Sequence, residues 1–191
     1  MADEETMKSV RKAMDEASKG KAALFPYSPK QVSYLDVLDG MIEGKKKGLK
    51  VIYVTGNRTS GFLLERLNEM NAEASDYFFI DCVSALGGSV KPAGSIAFID
   101  NPANLTSISI IMKQKAGEEK NSLVVIDSLS TFLVYNSPPN LAKFLIGAMV
   151  NARESRNGIL VLSTDKDLEI KEMESILQMA DYLPKTGGRK A

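Results

Sequence analysis

Three short stretches of consecutive apolar, mostly β-branched residues constrain this chain more than any other feature. They occupy positions 51–54, 123–126 and 159–162. A strand with one face in water alternates apolar and polar residues, whereas a strand covered on both faces is apolar throughout. The stretches therefore predict buried strands of a parallel sheet. Shorter apolar runs predict further strands at 22–25, 77–82, 96–99 and 181–183.

Helical stripes separate these strands. Apolar residues recur at spacings of three and four within 32–42, 63–70, 105–112, 141–152 and 170–180. Alternating strands and helices predict a three-layer α/β domain over residues 21–184, with a mostly parallel sheet and helices on both faces. Ser28, followed by Pro29 and Gln31, predicts the start of the first of these helices. Ligands of such domains bind beyond the carboxyl ends of the strands, which directs attention to the loops there.

The two ends of the chain differ from this domain. Met7, Val10, Met14 and Ala17 form a narrow apolar stripe, which predicts an N-terminal amphipathic helical arm over residues 1–20. The arm would pack on its own domain or fray in solvent; the alternative is docking on another subunit. Residues 185–191 are polar and glycine-rich and are expected to be disordered.

Composition removes several classes of function. The chain has no histidine and one cysteine, which excludes His-dependent triads and His-ligated metal sites and makes an internal disulfide impossible. Its net charge is zero, so no nucleic-acid partner is expected. No apolar run approaches a membrane span, and the N-terminus lacks the apolar core of a signal peptide. We therefore expect a cytoplasmic protein with no membrane partner.

Asp127 is the most informative polar residue because it ends the buried run 123–126 and is followed by Ser128. A carboxylate at this place holds Mg²⁺ in nucleotide hydrolases, although many α/β proteins use Asp there to cap a turn. The segment 56–61 has the glycine spacing of a phosphate loop, but Phe62 and Leu63 stand where Lys and Ser/Thr are needed. It is interpreted as a turn that opens a helix.

The other polar candidates are interpreted structurally. Lys45–Lys47 are expected to form a solvated helix end, and Cys82 is expected to be a buried, inert thiol. Three close carboxylate pairs are assigned to the surface: Asp36/Asp39, Asp165/Asp167 and Glu172/Glu174.

Several segments, in their order and spacing, resemble RecA-like ATPases of the KaiC type, including archaeal KaiC-like proteins of unassigned function. They are VIYVT (51–55) with LLERL (63–67), YFFIDCV (77–83), LVVIDSLS (123–130) and the stretch 151–164. The resemblance implies a RecA-like P-loop NTPase fold over most of residues 21–184. It also implies that Asp127 is the Walker B aspartate.

The departures from that family concern its hydrolytic residues. The segment that corresponds to the phosphate loop, 25–31, contains no glycine, and its prolines, Pro26 and Pro29, have no N–H to offer a phosphate. Lys30 would be the only substitute for the phosphate-loop lysine. Asn57 and Arg58 stand where the family has its catalytic glutamates, and neither serves as a general base.

The resemblance and its departures lead to a hypothesis of a pseudo-ATPase with a degenerate Walker A motif. Such a domain has no catalytic residues, no cofactor and no metal, and acts as a regulatory or scaffolding protein through homo- or hetero-oligomeric contacts. Lys30, Asp127 and Ser128 would be the remnant of a nucleotide site. One alternative is a divergent Mg-ATP binder or weak ATPase that uses Lys30 and Asp127.

A further alternative is a sensor of a small ligand. It would bind its ligand through the hydroxyl side chains that follow Asp127, namely Ser128, Ser130 and Thr131.

Overall fold

A computed structural model describes residues 4–88, 94–119 and 121–184. The described residues form one six-stranded sheet with the strand order β1-β6-β5-β2-β3-β4, and every neighbouring pair of strands is parallel. The strands are β1 (Ala22–Pro26), β2 (Lys50–Thr55), β3 (Tyr77–Asp81), β4 (Ile96–Phe98), β5 (Ser122–Asp127) and β6 (Gly158–Ser163). The α/β class and the parallel sheet predicted from the sequence are confirmed.

Helices cover both faces of the sheet. They are α1 (Glu4–Ala17), α2 (Tyr34–Gly44), α3 (Ser60–Glu69), α4 (Leu105–Glu118), α5 (Leu129–Tyr135), α6 (Pro138–Glu154), α7 (Asp165–Leu168) and α8 (Glu174–Met179). Helices α1 to α3 pack on one face, and we call them the first helical layer. Helices α4 to α6, together with α8, pack on the other face and form the second helical layer.

The apolar runs are explained by the two cores between which the sheet lies. In β5, Leu123 and Val125 point into the core under the first helical layer, whereas Val124 and Ile126 point into the core under the second. Successive side chains of a strand alternate between faces, so a strand between two cores needs apolar residues at every position.

The N-terminal helix is packed against the rest of the chain. Val10 and Met14 of α1 are buried in the core under the first helical layer. Helices α1 and α2 approach closely at Gly40, where an added Cβ would lie 3.0 Å from the Val10 side chain. At the end of α1, the backbone oxygen of Ala17 would lie only 1.8 Å from a Cβ on Gly158. The helix therefore packs on the chain to which it belongs.

The start of α2 differs from the sequence prediction. The main-chain N–H groups of Gln31 and Val32 both donate to the oxygen of Ser28, which closes a turn, and the helix begins six residues later at Tyr34. Ser33 is the N-cap, since its hydroxyl accepts from the N–H of Asp36 at 3.1 Å. Leu35, which the apolar stripe within 32–42 predicts to be buried, lies in the first turn of α2 and is exposed.

Smaller differences concern the C-terminal half. Helix α5 was not predicted, because seven residues give too short a pattern to recognise. The last predicted helix is divided into a single turn at 171–173 and α8. The proposed strand 181–183 is reduced to one parallel bridge between Tyr182 and Ala23. The expected disordered tail, 185–191, and part of the glycine-rich loop lie outside the described residues. No described helix combines the length and apolarity needed to cross a bilayer.

Candidate functional site

The candidate site lies where β2 and β5 end side by side. Thr55 of β2 pairs with Asp127 of β5. From β2 the chain continues through the first helical layer to β3, whereas from β5 it continues through the second helical layer to β6 on the opposite side. Adjacent strands whose connections diverge leave a crevice at their carboxyl ends, and this is where open α/β sheets bind ligands.

Asp127 is buried at this point and is held by two tyrosines. The hydroxyl of Tyr34, the first residue of α2, donates to Oδ2 of Asp127 at 2.5 Å. The hydroxyl of Tyr53, on β2, donates to the same oxygen at 2.8 Å. The other oxygen, Oδ1, is also buried and has no hydrogen-bond partner among the described residues. We call Tyr34, Tyr53 and Asp127 the tyrosine–aspartate cluster.

Burial dominates the electrostatics of the cluster. It raises the pKa of Asp127 from 3.8 to about 6, against the hydrogen bonds from Tyr34 and Tyr53 and the smaller influence of Asn57 and Arg58, which lower it. Burial, followed by the charge of Asp127, raises the pKa of both tyrosines above its ordinary value. The two phenols therefore stay protonated and remain hydrogen-bond donors.

Arg58 closes the outer side of the cluster. Its guanidinium carbon lies 5.4 Å from the ring centre of Tyr34 and 5.5 Å from that of Phe62, which are cation–π distances. The turn that carries it is fixed by Thr55, whose hydroxyl donates to the oxygen of Arg58 and accepts from its N–H. Arg58 thus covers Tyr34 and forms no ion pair within the described chain.

The segment 56–61 is a turn followed by a helix, as interpreted from the sequence. Gly56 donates its N–H to the oxygen of Asp127 at 2.7 Å, and an added Cβ there would lie 3.2 Å from the Phe132 ring. Thr59 caps α3 by accepting from the N–H of Phe62. These glycine and hydroxyl residues therefore serve packing and capping.

Several backbone N–H groups of the loop after β1 already donate to oxygens of the protein. Tyr27 donates to the oxygen of Ser163 at 2.9 Å, and Gln31 and Val32 donate within the turn at Ser28. Lys30 is exposed and makes no hydrogen bond or ion pair within the described residues. Asp127, in contrast, is buried, so the two remnant residues that the sequence singled out lie in different environments.

The hydroxyl residues after Asp127 contact other parts of the protein. Ser128 is buried after a cis peptide bond, and its Oγ lies 3.4 Å from Oγ1 of Thr131. Ser130 donates to Asp167, which also accepts from the N–H of Thr164 at 2.7 Å. The assignment of Asp167 to the surface was wrong: its carboxylate forms the capping box of α7 and joins that helix to α5.

Two further buried residues have structural roles. Asp81, at the end of β3, accepts from the N–H groups of Ser60, Val83 and Ser84. Cys82 is fully buried, as predicted, and burial raises the pKa of its thiol to about 12. Neither residue is positioned to act on a ligand.

Sequence reasoning found Asp127 but missed Tyr34 and Tyr53. Tyr53 lies inside an apolar run, and aromatic residues are common in strands, so nothing in the sequence marked it as a functional residue. Tyr34 was placed in the middle of a predicted helix. A tyrosine near the amino end of a helix that follows a strand was the available signal, but its partner is 93 residues away.

Comparisons with known proteins add no family assignment. No protein-family model matches the sequence. No curated protein shows significant similarity to it.

Within the described residues, no three or more Asp, Glu, Cys or His side chains are grouped so that they would hold a metal ion.

Proposed function

We propose that this chain is a RecA-like domain of the KaiC type that has lost nucleotide hydrolysis and acts through protein contacts. The tyrosine–aspartate cluster carries the proposal. The carboxylate that the resemblance assigns to Mg²⁺ already accepts two phenol hydrogen bonds at Oδ2, and Arg58 covers the nearer phenol. A metal would have to displace Tyr34 to reach this oxygen.

The loop after β1 supports the same proposal. A phosphate cradle consists of several backbone N–H groups that point at one anion. Here Pro26 and Pro29 have no N–H, and those of Tyr27, Gln31 and Val32 already have acceptors in the protein. In the loop 26–32 only Ser28 and Lys30 therefore have a backbone N–H with no acceptor among the described residues, which is fewer donors than a phosphate cradle uses.

A domain of this kind serves as a regulator or scaffold, and it does so in the cytoplasm without a nucleic-acid partner. A buried carboxylate that costs stability fits the remnant of a functional site, because proteins tolerate locally unfavourable groups at such sites. The neutral net charge agrees with protein contacts better than with binding to a polyanion.

Calorimetry with Mg-ATP and a phosphate-release assay test the loss of nucleotide handling. We expect neither binding heat at millimolar nucleotide nor turnover from the full chain. Asp127→Asn and Lys30→Ala are the matched variants, and in both assays each should give the same result as the unmodified protein. ATP turnover that disappears in Asp127→Asn would overturn the proposal.

One observation favours the second candidate, a divergent ATP-binding protein. Oδ1 of Asp127 is a buried acceptor that has no hydrogen-bond partner among the described residues, and such groups usually have one. In this version Tyr34 moves aside, Oδ1 faces a hydrated Mg²⁺ and Lys30 reaches the phosphates. Mg-ATP binding by Tyr34→Ala that is lost on adding Lys30→Ala would support it. No binding by Tyr34→Ala would leave the loss of nucleotide handling as the better account.

A further inference from the structure

The stretch that joins β1 to the body of α2 lies on the surface, and we call residues 28–36 the 28–36 segment. Tyr27 before the segment and Val37 after it are both buried in the core under the first helical layer. None of the nine residues between them is buried, and five of them, including Lys30, are exposed. The segment is therefore anchored at its two ends and lies close to solvent between them.

One side chain makes the hydrogen bonds between this segment and the sheet. The turn at Ser28 and the cap at Ser33 are bonds within the segment. Apart from the helical bonds of α2, the bonds described between the segment and the rest of the chain come from the Tyr34 hydroxyl. It donates to Asp127 and lies 3.4 Å from the hydroxyl of Tyr53. Loss of the Tyr34 contact would therefore release the segment from the sheet without breaking other described hydrogen bonds to it.

The 28–36 segment runs over the carboxyl ends of two central strands. β1 lies at one edge of the sheet, and β6 and β5 separate it from β2. Just before the segment, Tyr27 donates its N–H to Ser163 at the end of β6, and further along Tyr34 reaches Asp127 at the end of β5. The far end of the segment therefore covers the crevice beside β5, which is where open α/β sheets bind ligands.

The two tyrosines on Asp127 differ in how firmly they are held. Tyr53 is 2% exposed and lies in β2, which is paired with a strand on each side, so it stays in place while the sheet is folded. Tyr34 is partly exposed and is the first residue of α2, and helix ends fray. Arg58, which stacks on the Tyr34 ring, is exposed as well. The contact that closes the crevice is therefore made by the more weakly held tyrosine.

We propose that the 28–36 segment is a lid over Asp127, that Tyr34 is its latch, and that the lid opens while the sheet stays folded. Opening breaks the bond from Tyr34 and the stacking of Arg58, and it leaves Tyr53 on the carboxylate. Regions with few buried contacts open at a lower free energy than the whole protein, and lids over ligand sites belong to this class. The inference concerns the site of the proposed function but does not rest on it, because the lid covers Asp127 whether or not a nucleotide binds.

The carboxylate under the lid determines which chemical groups can replace the latch. Oδ1 of Asp127 is buried and has no hydrogen-bond partner among the described residues, and opening removes one of the two donors at Oδ2. A buried carboxylate that loses a partner is unfavourable. A group that enters the crevice therefore has to bring a hydrogen-bond donor or a positive charge in place of the Tyr34 hydroxyl.

Labelling of buried thiols in the full chain tests the lid. Thr55 is fully buried, pairs with Asp127 and lies two residues after Tyr53 on the same strand, so Thr55→Cys places a thiol under the lid. The native Cys82, fully buried in the core under the second helical layer, is the internal comparison. We expect the introduced thiol to react with iodoacetamide at least about tenfold faster than Cys82, after correction for their rates in the unfolded chain, because it needs only the lid to open.

Two further variants separate opening of the lid from unfolding of the whole chain. Tyr34→Phe removes the latch and should speed labelling of the introduced thiol at least about fivefold. Ile108→Val lies in the core under the second helical layer and lowers the stability of the whole chain without touching the lid. It should speed labelling of Cys82 and leave that of the introduced thiol unchanged, because local opening does not expose Ile108.

Amide hydrogen exchange of the chain without the introduced cysteine is the second measurement. The N–H groups of Gln31 and Val32 should exchange through the same opening, and Tyr34→Phe should speed both. Three results would overturn the inference: an introduced thiol no faster than Cys82, an Ile108→Val variant that speeds both thiols equally, or a Tyr34→Phe variant that changes neither probe. No nucleotide is present in these measurements, so ATP turnover would refute the proposed function without removing the lid.

Discussion

The two helical layers cover the same sheet in different ways. The first layer is charged and paired: Arg66 bonds the carboxylate of Asp39 at 2.5 Å, and Lys45 pairs with Asp76 at 2.7 Å. In the second layer, the described ion pairs lie towards the carboxyl ends of its helices, as at Lys115–Glu118. The first helical layer therefore presents charged, paired side chains to water, whereas the second helical layer leaves apolar side chains exposed.

The inner sides of the layers also differ. The first layer covers a buried carboxylate through Tyr34, while the core under the second layer is built from aliphatic and aromatic side chains. The first helical layer, whose outer surface is ordinary, therefore covers the buried carboxylate of Asp127. The second helical layer has an ordinary core and an unusually apolar outer surface.

The largest expected effect tests whether α1 is an integral part of the first layer. In Gly158→Ala the new Cβ would meet the Ala17 backbone oxygen, so either α1 or β6 must move. We expect a loss of at least about 3 kcal/mol in the free energy of unfolding, at the upper end of overpacking penalties. Urea denaturation measures it.

Gly117→Ala on α4 is the control, since nothing lies within 4 Å of the added Cβ. It should be neutral or stabilising by up to about 1 kcal/mol. Equal effects of the two substitutions would mean that α1 does not rest on β6.

The next effect concerns the buried charge. The pKa of Asp127 is about 6 in the folded protein and has an ordinary value of 3.8, so folding favours the protonated form. The stability that the protonated carboxyl allows is therefore fully present below pH 3.8. It is lost as the pH rises through 6, because the buried side chain then has to ionise. Asp127→Asn should therefore raise the free energy of unfolding by about 2 to 3 kcal/mol above pH 7 and leave it unchanged near pH 3.5. A variant that is less stable at neutral pH would contradict the account.

A smaller effect is expected from removing the Tyr34 hydroxyl, which donates a hydrogen bond to Asp127. Tyr34→Phe removes one donor from Asp127 and should cost about 1 to 2 kcal/mol at neutral pH, with a smaller cost once the carboxyl is protonated. Thermal unfolding at two pH values measures this difference. Tyr182→Phe is the control, because its hydroxyl has no hydrogen-bond partner among the described residues. A pH-independent cost would point to lost packing instead.

The smallest effect is expected on the charged outer surface of the first layer. Arg11 and Glu43 form an ion pair with about half of each side chain exposed. Arg11→Gln should change the free energy of unfolding by less than about 0.5 kcal/mol, because water and salt screen such pairs. A double-mutant cycle with Glu43→Gln measures the coupling. A coupling well above that value would mean that surface charge holds the layer in place.

The sequence predicted the strands better than the helix ends. The runs at 51–54, 123–126 and 159–162 all lie within observed strands, since burial on both faces leaves few alternatives for an apolar run. The start of α2 was misplaced because a serine–proline pair fits a turn as well as a helix cap, and the turn at Ser28 was formed instead. Asp127 was found from its strand, but its two tyrosine partners were not.

What the sequence determined by itself is the class of fold, the burial of Cys82 and the position of Asp127 at the end of a strand. These features follow from local sequence patterns that extend over only a few residues. Only the tertiary structure decided the strand order, the meeting of Tyr34 and Tyr53 at one carboxylate oxygen, and which layer keeps its apolar surface. Those features join residues that are far apart in the chain, and distant pairings follow from how whole elements pack rather than from local preference.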